Sequence, residues 1–161
     1  MEGNADALAA RQESMIGELR EAIGDGIAEA AVVRLRRVVV TVAAGSLRDA
    51  VSFMKDHWGL SHVSMVTGRD AGEGLEVLYH FFVDGVTVTL RVSVPREAPE
   101  VPSITDLVPG ANFYERELYD LLGIRAAGHP GLKRLVLPED WPDGVFPLRK
   151  DWQPPEGGET T

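Results

Sequence analysis

LEVLYHFFVDGVTVTLRVSV, residues 75–94, decides the fold. Its two halves, 75–83 and 86–94, are rich in β-branched and aromatic residues. They meet at Asp84-Gly85, a dipeptide suited to a two-residue hairpin because both turn positions need positive φ. In the second half Val86, Val88, Leu90, Val92 and Val94 alternate with Thr87, Thr89, Arg91 and Ser93. One side of such a sheet is buried and the other is wet. Working outward, Arg34–Val42 is a further strand with Val38, Val40 and Val42 on one face, and His62–Thr67 is a short one. Helical spacing marks residues 6–23, through Leu8, Met15, Ile16 and Leu19, with Gly24 and Gly26 as the stop. It also marks a helix from Ser46 to Gly59 on the stripe Leu47, Val51, Met54 and Trp58, with Ser46 and Asp49 as a capping box. A third helix runs from an Asn112 cap, with Glu115 in the box position, to Gly123. The order α-β-α-β-β-β-α predicts an α+β fold, a mixed or antiparallel sheet with helices packed on one face. Five prolines between 138 and 161 forbid long regular elements there. The chain therefore divides into an α+β domain, 1–137, and an extended proline-rich C-terminal docking tail, 138–161.

The totals narrow the function. A chain of 161 residues holds one domain with a real core. Its formal net charge of -9, from 16 basic and 25 acidic residues, argues against nucleic acid and against direct adhesion to an anionic membrane. With no cysteine there is no disulfide, thiol nucleophile or cysteine-ligated iron–sulfur cluster. No apolar run is long enough to span a bilayer, and MEGNADALAARQE reads as neither a signal nor a transit peptide. The expectation is a cytoplasmic protein whose link to a membrane runs through a partner.

Chemistry-bearing residues concentrate in FYERELYDLLGI, 113–124. On a helical wheel Tyr114, Leu118, Leu121 and Leu122 share one face, and Arg116, Glu117 and Asp120 the opposite, solvated one. Arg116 and Asp120 are placed to pair at i, i+4. Glu117 and Asp120 lack a histidine on their face, so a metal site is not expected. His57, His62 and His80 form no spaced ligand set. His129 lies in GHPGLKR, near Lys133 and Arg134. One reading is a free-standing enzyme with Glu117, Asp120 and His129 as acid–base groups. Another is a docking segment. Residues 112–152 carry six basic and seven acidic side chains, so the acidic excess lies elsewhere. Here Arg125, Lys133, Arg134, Arg149 and Lys150 interleave with Trp141, Phe146 and Trp152, residue types that anchor interfaces.

ERELYDLLGIRAAGHPGLKRLV, 115–136, resembles the signature of the C-subunit family of respiratory complex I, the NADH:quinone oxidoreductases. Glu115, Arg116, Glu117, Asp120, Leu121, Leu122, His129, Lys133, Leu135 and Val136 fill its positions. FPLRKDW, 146–152, with Arg149, Lys150, Asp151 and Trp152, resembles the family's closing block, and SITDLVPGANFYERE its lead-in. The match covers roughly 103–152; the earlier part agrees in element order only. EDWPDGVFPLRKDW is similar to the related subunit of energy-converting membrane-bound nickel–iron hydrogenases and of ferredoxin- or coenzyme-linked complexes. The resemblance implies a non-catalytic subunit of a hydrophilic arm that binds no cofactor itself. Its implied partners are a large subunit, quinone-binding or nickel–iron-bearing, and a small iron–sulfur subunit. It implies a place peripheral to the cytoplasmic membrane face, and a triplet helix that is a structural ion-pair surface.

Overall fold

The computed structural model describes the backbone of residues 2–154 and the side chains of 5–154. Residues 155–161, the end of the tail expected over 138–161, lie outside the described residues. Helix α1 is Glu2–Ile23, followed by strands β1 (Ile27–Arg34) and β2 (Arg37–Val42) and helix α2 (Leu47–Trp58). Then come β3 (Met65–Asp70), β4 (Gly74–Val83), β5 (Val86–Pro95), β6 (Glu100–Pro102), α3 (Ala111–Leu122) and β7 (Arg125–Ala127). Five strands form one mixed sheet in the order β1-β2-β5-β4-β3, with β2 and β5 parallel and the other pairs antiparallel. β6 and β7 pair separately in parallel.

The 75–94 hairpin forms in the expected register, with Val83 opposite Val86 across Asp84 (φ 50°) and Gly85 (φ 76°). Val38, Val40, Val42 and the odd residues of β4 meet Val86, Val88, Leu90, Val92 and Val94 in one core. α1 adds Met15, Ile16 and Leu19, α2 adds Leu47, Val51, Met54 and Trp58, and α3 adds Leu118 and Leu122. All three helices therefore cover the same side of the sheet. Gly68 on β3 permits the closest approach: a Cβ there would stand 2.3 and 2.6 Å from the methyls of Leu122 and Leu118.

Local expectations change at several points: β6 and β7 are absent from the expected order, and the strand expected over Arg34–Val42 begins at Arg37. β1 was not anticipated. IAEAAVVR is an edge strand with an exposed, alanine-rich pattern, so no clean alternation marks it. Its turn into β2 uses Arg36 at φ 67° where glycine or asparagine would be the usual signal. The fully buried Gln12 of α1 holds that turn at both ends, donating to the Arg34 carbonyl (3.0 Å) and accepting from the Arg36 amide (3.1 Å). β3 begins three residues later than expected and continues past Thr67 through Asp70. Ser46 makes no side-chain cap. Asn112 lies inside α3, whose N-cap position is Gly110, and Glu115 is committed to another contact.

Candidate docking surface

α3 is the hub of the segment singled out above. Its αL terminus at Gly123, φ 73°, follows the glycine stop seen in sequence. Of the charges on this helix, only Glu117 is exposed; the others are engaged within the chain. Glu115 is fully buried. Its carboxyl accepts from Ser103 Oγ (2.6 Å), the Ile104 amide (2.7 Å) and Thr105 Oγ1 (2.9 Å), tying the loop after β6 to the helix. Asp120 is 5% exposed, not solvated as the wheel predicts. One oxygen, Oδ2, accepts from the amides of Leu135 (3.0 Å), Val136 (2.8 Å) and Leu137 (2.8 Å). Burial pulls the Asp120 pKa up, but these amides outweigh it and hold the group below its ordinary value. Arg116 does not pair with Asp120. It donates to the carbonyls of Lys133 (3.2 Å) and Arg134 (2.8 Å). Asp120 and Arg116 thus grip one passing strand of chain by its donors and its acceptors.

The His129 side chain is buried beside Glu115, with Nε2 4.0 Å from Oε2. Nδ1 accepts from the Gly131 amide (3.0 Å), which leaves Nε2 to donate to the Asn112 carbonyl (3.2 Å). Glu117 is exposed and has no hydrogen-bond or ion-pair partner among the described residues. Lys133 is exposed too. Beyond 137, Arg134 donates to the Trp141 carbonyl (2.7 Å) and to Asp143 (2.8 Å). Trp141 Nε1 donates to the Val145 carbonyl, and the Trp141 and Trp152 rings lie 6.1 Å apart.

The closing block caps the helix. The Leu148 amide donates to the Leu121 carbonyl (3.1 Å) and Arg149 Nε to that of Leu122 (2.8 Å), satisfying acceptors that a helix end leaves open. Phe146 lies flat against Gly123, and Arg149 stacks over the same ring at 4.6 Å. Asp70, at the end of β3, receives the Lys150 amide (2.9 Å), the Gly72 amide (2.8 Å) and Arg96. The two amides lead in lowering its pKa to about 2, with Arg96 adding to them. Arg96 also reaches Asp151 at 3.4 Å.

Large apolar side chains are among those that face outward. Phe113, Tyr119, Leu135, Val136 and Leu148 are exposed around α3, as is Met65 at the neighbouring edge strand. A groove of about 230 Å³ runs between β3 and α3, lined by Met65, Tyr114, Glu117, Leu121 and Leu148. Sequence reasoning missed Phe113, Tyr119 and Leu148 as surface positions because they fall off the helical stripes; a large apolar side chain off any stripe was the available signal. Among the described residues no group of three or more His, Asp or Glu side chains is placed to hold a metal ion.

The signature segment is thus one folded unit around α3. Residues 40–157 match the family described as Respiratory-chain NADH dehydrogenase, 30 Kd subunit. The chain belongs to this family. This 30 Kd family member is 34% identical over 145 residues to the C subunit of the F(420)H(2) dehydrogenase of Methanosarcina mazei, a match covering 88% of this chain and 89% of that one. It is 38% identical over 125 residues to the C subunit of the NADH-quinone oxidoreductase of Moorella thermoacetica, covering 74% and 83%. A solved trypsin-resistant fragment of Nqo5 superposes with a TM-score of 0.64 at 30% identity, covering 76% of this chain and 99% of the fragment.

Proposed function

We propose that this 30 Kd family member is a non-catalytic structural subunit in the hydrophilic arm of a complex I-like NADH:quinone oxidoreductase or energy-converting hydrogenase. It docks on the large subunit, with the small iron–sulfur subunit beside it. It carries no redox centre; iron–sulfur clusters, and a quinone site or nickel–iron, belong to its partners. It reaches the cytoplasmic membrane face through them. Among the described residues no helix is long and apolar enough to cross a membrane.

One observation supports this reading most. The acid–base candidates are occupied within the chain. Asp120 Oδ2 takes three amides, both His129 ring nitrogens are engaged, and His129 has no exposed side-chain surface. Glu117 stands apart on the exposed groove. These groups build a scaffold that presents apolar side chains, the usual material of an interface core. Among the described residues the free-standing enzyme reading has no assembled site to rest on.

The test is affinity purification of the tagged full chain from its native host under mild detergent. Stoichiometric recovery of a large subunit and an iron–sulfur subunit is expected. The chain purified alone should contain no stoichiometric metal and no visible chromophore. A chain recovered alone in active form, or one with bound metal, would contradict the proposal.

A further inference from the structure

We propose that the helix-free face of the sheet is a second docking surface, and that its partner is an acidic segment of another protein chain. Strand alternation puts Arg37, Thr87 and Phe82 in one cross-strand row of that face. Val39, Thr89, His80 and Met65 form the next, and Thr41, Arg91, Leu78 and Thr67 the third. All point away from α1, α2 and α3, whose core contacts use the other face.

Two features distinguish this face from an ordinary wet sheet surface. The first is charge. Arg69 is paired with Glu76 at 2.5 Å, but Arg37 and Arg91 have no acidic partner among the described residues. Glu29, opposite Thr41, and Glu76, opposite Ser93, share the face, but among the described residues neither forms an ion pair with these two, and Glu76 is taken by Arg69. The second is a buried orphan. Arg91 Nε is inaccessible to solvent and has no hydrogen-bond partner among the described residues. Nε is closed off by this chain itself, so a carboxylate would meet the two Nη groups of the half-buried Arg91, which have no hydrogen-bond partner among the described residues either. Around the two cations Phe82 and Met65 are each 52% exposed, giving apolar contact area beside the charges.

The occupant follows from the same facts. Arg37 and Arg91 are offset by four residues along neighbouring strands, about 13 Å. Two cations at that spacing suit a short segment with separated Asp or Glu and apolar residues between. A membrane or a nucleic acid would present a continuous anionic surface to a protein of net charge -9, which repels it as a whole. The face shares Met65 and Thr67, on the edge strand β3, with the groove beside α3, whereas Arg37 and Arg91, on β2 and β5, lie outside that groove.

The experiment uses the complex isolated with the full chain. Arginine modification by phenylglyoxal, read by mass spectrometry, should be at least about tenfold slower at Arg37 in the complex than in the free chain. A second preparation carries Arg37→Lys, an exposed change that leaves the core untouched, and is treated with a zero-length carbodiimide. A cross-link from position 37 to an Asp or Glu of another chain is expected. Equal Arg37 reactivity in the free and assembled chain would overturn the proposal. So would protection that yields no carboxylate cross-link, the result for a lipid or a neutral partner. If the chain enters no complex at all, it is the assignment to a multi-chain assembly that fails; if it assembles with Arg37 unprotected, only the second surface fails.

Discussion

Asp120 and Asp70 do the same work at two ends of the tail. Each carboxylate collects backbone amides from a segment distant in sequence, and each has its pKa lowered as a result. Replacing Asp120 by Ala leaves three amides facing a small void, a loss of about 1–3 kcal/mol for a buried donor left unsatisfied. The expected signature is faster hydrogen exchange at residues 135–137 with a modest drop in Tm. Unchanged exchange would show that these bonds hold nothing. The pH dependence has a definite sign. A carboxylate lowered in the folded state contributes stability above its ordinary value, and loses it as pH falls through the folded one. For Asp70 that window runs from 3.8 down to about 2. Protease sensitivity of the 146–152 segment should rise across it, and Asp70→Asn should already be sensitive at neutral pH. A wild-type segment equally protected at both ends of the window would rule the account out.

At the level of elements, the strongest local patterns carried furthest. The 75–94 hairpin, the three apolar helix stripes and the glycine stops were legible because each is a short-range periodicity. β1 was not, because it is an edge strand whose turn is held by Gln12 from a different element. The roles of Glu115 and Asp120 were hidden for a related reason. A helical wheel assigns a charge to solvent when no partner is near in sequence, and here the partners lie 10–17 residues away. The junction between α3 and the tail gives a sharp test. Gly123 has φ 73°, and a Cβ would come within 2.5–2.8 Å of the Phe146 ring. Gly123→Ala should cost about 1–2 kcal/mol for the backbone alone, and more for displacing the ring. Phe146→Ala removes the clash, so the double variant should be less destabilised than the sum of the singles. Additive losses in urea melts would mean that the ring does not pack there.

For the whole molecule, one side chain set serves two ends. Glu115, Arg116, Asp120 and His129 of the signature turn inward and help fold residues 127–152 back over α3, while Glu117 and Lys133 stay exposed. The apolar side chains of Phe113, Tyr119, Leu135, Val136 and Leu148 are left outside. Among the described residues none beyond Ala126 belongs to the buried apolar core. A chain truncated after Leu137 should therefore keep its circular dichroism spectrum with a lower Tm, and lose its place in the complex. The claim that this outer surface exists to be covered by a partner has a more direct test. Leu148 is 56% exposed and Val136 55%, so an aspartate at either position adds a charge without opening the core. Surface changes of this kind usually alter stability by no more than about 0.5 kcal/mol. In an interface core each buries an unpaired charge, and losing about 3 kcal/mol weakens association by more than a hundredfold. The deciding measurement is recovery of the large subunit with tagged wild type, Leu148→Asp and Val136→Asp, beside their thermal melts. The account predicts melts within a few degrees of wild type and loss of the large subunit for both variants. Wild-type recovery with either aspartate in place would contradict it.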